Sequence, residues 1–413
     1  MKKLSVISII CAIAAALMVV ASCGTDNQSK GNMKFRILGS TGINVSEIGI
    51  GCGGFEDMTQ EQARKYMDVA IDSSINYIDI YDANPVVRGN IGYALRGRRD
   101  KMNIQGHIGA YWNGGQYERT RDVEKCKKGF EELLTLLETD HIEVGMMHIV
   151  DDVAEWNQIV GSPYLDYVHQ LKAEGKIKHI GVSSHNAAAA LAAAKSGEVE
   201  VIMFSLNPAF DRVNTGANVW DPNTFEHLLP GIDPVRVELY DYCAQHRIAI
   251  VVMKVYGGGG RLLDAERSPL KVALTPDQCL SYALSKPCVA VALSGTQNVE
   301  QLVEDLHYLN ATDQEKDFNS ALSGQTSQNN ASGECTYCNH CSPCAAGIEI
   351  DKINELLDQA EKYKEVPQEL KDKYLALEHH ASECTECGAC ESRCPFDVPI
   401  RQRMKEAVRV FGK

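Results

Sequence analysis

Cys384-Thr385-Glu386-Cys387-Gly388-Ala389-Cys390-Glu391-Ser392-Arg393-Cys394-Pro395 decides how the last fifth of this 413-residue chain folds. Three cysteines stand with two residues between them, and a fourth follows after three residues, directly before proline. Cys335, Cys338, Cys341 and Cys344 form an earlier run with two residues between each. Thiolates three apart on a tight loop can all face one [4Fe–4S] cubane, while a fourth ligand arrives from a distance. A disulfide framework would need an oxidising compartment and would not favour two matched runs. Zinc usually takes four ligands as two CxxC pairs and leaves the other four cysteines unexplained.

The second run resembles the ligand spacing of bacterial ferredoxins. In the two-cluster members of that group the fourth cysteine of each run ligates the other cluster. The resemblance implies two [4Fe–4S] clusters: one on Cys335, Cys338, Cys341 and Cys394, the other on Cys384, Cys387, Cys390 and Cys344. Between the runs, Ile348, Ile350, Ile353, Leu356 and Leu357 form one apolar stripe, and Tyr374, Leu375 and Leu377 continue a second. The domain is therefore expected to be a small, mostly helical ferredoxin type over 335–413. Clusters at this spacing exchange electrons, so a redox partner protein is implied.

Upstream, short apolar runs alternate with helical stripes. The runs are Ile48-Gly49-Ile50, Tyr77-Ile78-Asp79, Ile104-Gln105-Gly106, Val144 to Met147, Ile180-Gly181-Val182, Val201 to Phe204, Ile248 to Met253 and Val289 to Leu293. Eight such strands between helices predict an α/β fold, a (β/α)8 TIM barrel over 34–310, with strands buried on both faces. Phe35-Arg36-Ile37 and Ile43-Asn44-Val45 flank Gly39-Ser40-Thr41-Gly42 and read as a hairpin. Asn207 to Asp233 is a long loop after the sixth strand, on the rim where barrel sites form. Residues 311–334, rich in Ser, Asn, Gln and Gly, read as a linker.

The first residues read as a targeting segment. Lys2 and Lys3 precede the apolar stretch Leu4 to Val20. Val20-Ala21-Ser22-Cys23 resembles a bacterial lipoprotein box, which implies a signal peptide over 1–22, lipid on Cys23 and a polar tether over 23–33. The expected location is the cell envelope, with membrane attachment through the lipid. An uncut membrane helix is disfavoured because the stretch is short for spanning. A start at Met33 would instead give a cytoplasmic protein. The formal charge of -14 argues against nucleic-acid binding.

The strand ends resemble the aldo/keto reductase family. Arg36-Ile37-Leu38-Gly39-Ser40-Thr41-Gly42 looks like its barrel-bottom hairpin, and Asn76-Tyr77-Ile78-Asp79 like its second strand with the catalytic aspartate. His148 ends the fourth strand as the family's histidine does. Gly181-Val182-Ser183-Ser184 looks like the end of the fifth strand, and Ser294-Gly295-Thr296 with Gln301-Leu302 like the cofactor turn after the eighth. With the cysteine runs, the chain is similar to the ferredoxin-linked branch. The resemblance implies an oxidoreductase in which a tyrosine protonates a carbonyl while NADPH delivers hydride. It also implies departures. The tyrosine position is Asn84, followed by Pro85, and the lysine position is His107. Ser184, Met203, Lys254 and Gln297 stand where the family has asparagine, glutamine, an aromatic and an arginine.

The expected catalytic groups are Asp79, His107, His148 and Tyr81. His107 is the preferred proton donor because imidazole titrates near neutrality, and Tyr81 is the alternative. Ser183, Ser184, Lys254, Gly257, Gly258, Gly295, Thr296 and Gln297 are the candidates for an NADP(H) or flavin cofactor. His185 adds another polar group at the mouth. Cys52 reads as a small core residue, and Tyr111, Trp112 and Tyr117 as pocket-shaping side chains. The substrate class is a small carbonyl or quinone-like molecule. The competing expectation is a barrel without catalysis that carries an electron-transfer module.

Overall fold

The structure is a computed structural model; it describes residues 33–219, 221–326, 335, 337, 341–361, 363, 365–394 and 398–412. The signal peptide, Cys23 and all but the last residue of the tether lie outside the described residues, as does Cys338. No helix among the described residues is long and apolar enough to cross a membrane.

A short antiparallel hairpin, β1 (Phe35–Ile37) and β2 (Asn44–Ser46), precedes the barrel. Eight parallel strands then close on themselves in chain order. They are β3 (Ile48–Gly51), β4 (Tyr77–Ile80), β5 (Asn103–Ile108), β8 (Ile142–Met147), β9 (Ile177–Ser184), β10 (Val201–Ser205), β11 (Ala249–Met253) and β12 (Val289–Ser294). An antiparallel pair, β6 (Ala110–Asn113) and β7 (Gln116–Arg119), is inserted after β5. The expected barrel and its opening hairpin are thus present.

Strand alternation sorts the core into two parts. Ile78, Ile80, Ile104, Ile108 and Ile142 face the helices in the large outer cluster. Tyr77, Val144, Met146, Val201, Met203, Val251 and Val291 fill the barrel interior. Leu38 and Val45 belong to that inner cluster, so the hairpin stoppers the barrel's lower end. Because Tyr77 faces inward, Asp79, two residues on, does too. The same step carries Gln105 to His107 on β5, and Met146 to His148 just past β8.

Two helices were not evident from apolar periodicity. Pro85–Leu95 starts with Asn84 as N-cap, its Oδ1 accepting from Val86 N–H, and Pro85 in the first turn. Its Gly92 passes so close to the next helix that an added Cβ would lie 2.0 Å from the Leu136 carbonyl oxygen. Val153–Ile159 is capped by Asp152. The expected linker also contains structure. Helix Phe318–Thr326 lays Phe318 against Tyr282, with ring centroids 5.1 Å apart, and Ala321 and Leu322 on the outer core.

The long loop after β10 is anchored by a buried ionic network. Arg236, 2% exposed, donates to Asp211, which is fully buried and also accepts from the hydroxyls of Tyr240 and Tyr282. The C-terminal domain packs helices Ile350–Ala360, Gln368–Leu375 and Ile400–Phe411 around Ile353, Leu357, Tyr374 and Met404. Tyr374 stacks on Phe411 at 4.4 Å between centroids. The helical reading of this domain therefore holds.

Candidate functional site

Barrel stagger turns three strand ends into a staircase. Asp79 is level with Gln105, His107 is one layer higher and level with Met146, and His148 is one layer above that. The side chains join along it. His107 Nε2 lies 3.0 Å from Asp79 Oδ1, and the two Nδ1 atoms of His107 and His148 lie 2.6 Å apart. His148 Nε2 lies 2.6 Å from the Tyr117 hydroxyl. Tyr117 reaches it from the β6–β7 hairpin, paired with Trp112 across the Gly114-Gly115 turn.

This row runs from the interior to the surface. Asp79 is fully buried, His107 and His148 are each 2% exposed, and Tyr117 is 45% exposed. Gln105 Nε2 donates to Asp79 Oδ1 at 2.6 Å, its own Oε1 fixed by the Tyr77 hydroxyl. Asp79 Oδ2 has no hydrogen-bond partner among the described residues. An acceptor left so in the interior favours any arrangement that brings positive charge to it. Burial, then the neighbouring His107, holds His148 well below the usual imidazole range. Burial raises the Tyr117 phenol, while Arg119 and Arg121 pull it down.

The other expected catalytic group, Tyr81, is 44% exposed just past β4, and burial followed by Cys52 and Asp82 raises its phenol. Cys52 is fully buried and its thiol is pushed far up, first by burial and then by Asp79. Asn84 is committed to its helix cap and donates to Glu56 through Nδ2. The sequence reading left out Tyr117 as a chemical group. The signal for its placement was Asn113-Gly114-Gly115, a hairpin turn that aims β7 back over the barrel mouth.

Past the neighbouring strand β9, His185 bonds to Asp151, with Nδ1 3.1 Å from Oδ2. Burial lowers the His185 imidazole against the pull of Asp151. Lys254 follows β11 with φ of +58°, and burial brings its ammonium down to about 8. The expected nicotinamide-binding groups are taken up by the fold itself. Ser183 Oγ accepts from Ile149 N–H, and Ser184 Oγ donates to the Asn186 carbonyl. Thr296 bonds to the Tyr66 hydroxyl, and Gln297 donates to the Gly295 carbonyl. Gly257 and Gly258 begin a run of four left-handed glycines. Ser183 accepts through Oγ in its bond to Ile149 and keeps a hydroxyl hydrogen to donate, whereas Ser184, Thr296 and Gln297 are bonded within the fold.

In the C-terminal domain, Cys344, Cys384, Cys387 and Cys390 line one pocket, together with Ile348, Ile400 and Met404. Four thiols from two distant runs around one apolar-walled space are a donor set suited to an iron–sulfur cubane. The Ala389 backbone N–H and the Thr385 hydroxyl lower the Cys387 thiol, the direction that favours a ligating thiolate. Arg393 ties the runs together by donating to the Cys341 and Pro343 carbonyls. Of the other expected set, Cys335 and Cys394 pack partly buried against the same core and Cys341 lies within it.

Residues 47–219 match the Aldo/keto reductase family, and residues 377–400 match a 4Fe-4S binding domain. The chain is similar to "Uncharacterized oxidoreductase YqkF" of Bacillus subtilis (strain 168), 28% identical over 72% of this chain and 97% of that protein. It is also similar to "L-galactose dehydrogenase" of Arabidopsis thaliana, 24% identical over 37% of this chain and 48% of that one. The holo form of aldo-keto reductase AKR11C1 from Bacillus halodurans superposes with a TM-score of 0.55, at 21% identity, over 71% of this chain and 96% of that one. The chain thus carries an aldo/keto reductase domain followed by a C-terminal 4Fe-4S binding domain, and its relatives are oxidoreductases.

Proposed function

We propose that this chain is an oxidoreductase in which the barrel mouth exchanges electrons with an outside redox protein through two [4Fe–4S] clusters. The observation that carries the reading is Cys344 lining the same cavity as Cys384, Cys387 and Cys390. This is the crossed ligand set of a two-cluster domain. The remaining set is Cys335, Cys338, Cys341 and Cys394. The barrel tetrad is degenerate: Asn84 caps a helix where the family has its acid, and His107 replaces the lysine. The substrate is a small carbonyl or quinone-like molecule.

The test is anaerobic purification followed by iron, sulfide and organic-cofactor analysis. About eight iron and eight sulfide per chain are expected from two cubanes, with cluster bleaching by dithionite. Zinc with little iron would sink the reading. A second reading, a barrel without turnover that carries an electron-transfer module, draws on the internal commitments of Ser183, Ser184, Thr296 and Gln297. It predicts reducible clusters that no carbonyl or quinone reoxidises.

The sequence before Met33 supports a place at the cell envelope. Lys2, Lys3, the apolar stretch and Ala21-Ser22-Cys23 together favour cleavage before Cys23 and lipidation of its thiol. Mass spectrometry of the mature protein should find a lipid-modified N-terminal Cys23 in the membrane fraction. An unmodified chain starting at Met33 in the cytosol would count against it.

A further inference from the structure

Resting on the reductase reading above, we infer that Tyr117 hands a proton to the oxygen of a quinone-like electron acceptor at the barrel mouth. The proton is replaced through His148 from His107, which Asp79 holds by a hydrogen bond. The geometry supplies the donor that Asn84 cannot. Each buried histidine of the row already uses both ring nitrogens inside it. His107 binds Asp79 with one ring nitrogen and His148 with the other, so neither nitrogen is left for a substrate. Tyr117 is the outer member, half-exposed on a cleft shared with Arg119, Ile149 and Asp151.

The row has two consistent proton orders. In the first, the Tyr117 O–H donates to His148 Nε2, His148 Nδ1–H to His107 Nδ1, and His107 Nε2–H to Asp79. Uptake of one proton from solvent at the exposed Tyr117 end, passed inward along the same bonds, gives the second. His107 then carries hydrogen on both nitrogens, between the Asp79 carboxylate and His148 Nδ1. His148 carries its hydrogen on Nε2 and donates to the Tyr117 oxygen, which frees the phenolic O–H to face the cleft. Transfer of that hydrogen to a substrate oxygen leaves a phenolate. It takes the His148 Nε2 proton, His148 Nδ1 takes the His107 Nδ1 proton, and the first order is restored. One proton has left the row, and Asp79 is left as a buried carboxylate beside a neutral His107, which draws the next proton inward.

The acceptor class follows from the electron supply. Iron–sulfur clusters pass electrons singly, whereas an isolated carbonyl needs hydride, and the groups expected to hold a nicotinamide are engaged elsewhere. A quinone takes two electrons in turn, which two clusters held by the two cysteine sets would supply, together with two protons. One proton would come from Tyr117 to one oxygen and the other from water to the second, giving the hydroquinone.

The experiment uses the full cluster-loaded chain and has two arms. In nitrogen-15 spectra of the histidines, Tyr117→Phe should shift the His148 Nε2 signal while the other histidines outside the row keep theirs. An unchanged His148 signal overturns the relay whether or not the barrel turns anything over. In the second arm, dithionite-reduced, desalted protein is mixed anaerobically with a water-soluble 1,4-benzoquinone and cluster reoxidation is followed. Tyr117→Phe should slow it by ~10²–10⁴-fold, the range of a lost general acid, and should abolish the solvent deuterium effect on the wild-type rate. Equal rates in wild type and Tyr117→Phe overturn the donor role. Loss in Tyr81→Phe alone would move that role to Tyr81. Reducible wild-type clusters that the quinone never reoxidises overturn the reductase reading itself, and the donor role with it.

Discussion

Replacing Cys390 with serine is expected to remove one of the two proposed clusters and to melt the C-terminal helical domain at temperatures the barrel survives. Cys390 is 8% exposed and sits in the domain's core beside Ile350, Ile400 and Met404, while also lining the four-cysteine cavity. The domain is small, and its core is assembled from helices of 8 to 12 residues. Helices of that length are marginal alone, so cluster ligation and folding are coupled. Iron should fall from about eight to about four per chain, and circular dichroism should show an early helical transition ahead of the barrel's. A variant that keeps its full iron would remove Cys390 from the ligand set.

Asp211→Ala is expected to destabilise the barrel by about 3–5 kcal/mol, because it strands the buried Arg236 guanidinium. Arg236 keeps its bond to the Ser205 carbonyl at 2.9 Å, but loses its carboxylate partner, and Tyr240 and Tyr282 lose their common acceptor. Asp211→Asn retains an acceptor for a tyrosine and should cost less. Urea unfolding of the barrel transition would measure both. A loss under about 1 kcal/mol for Asp211→Ala, the scale of an ordinary substitution, would mean that water or a rearranged loop satisfies Arg236.

The barrel was legible because parallel strands buried on both faces are largely apolar, as β11 is throughout and β10 and β12 are up to a final serine. Helix Pro85–Leu95 was hidden for a packing reason. Gly92 is needed where the helix backbone meets Leu136, and it interrupts the stripe on which periodicity depends. Position in the strand was enough to bring Asp79, His107 and His148 to one mouth, since residues two apart share a face. Tyr117 was not legible as their partner. It lies 31 residues from His148 in sequence, and its contact depends on a hairpin folding across the barrel end. The reason for Asn84 was equally local: its side chain serves the helix that follows.

Helix Phe318–Thr326, fastened to the barrel through Phe318 and through Gln278 donating to the Asp317 carbonyl, fixes the point from which the chain runs on to the iron–sulfur module. Nine peptide steps separate Thr326 from Cys335, so the two lie at most roughly 32 Å apart by covalent geometry. Covalent joining over so short a stretch holds two partners at an effective concentration on the order of millimolar. Meetings between barrel and module within one chain therefore proceed at a rate that dilution does not change, and a free competitor would have to approach that concentration to displace the tethered module.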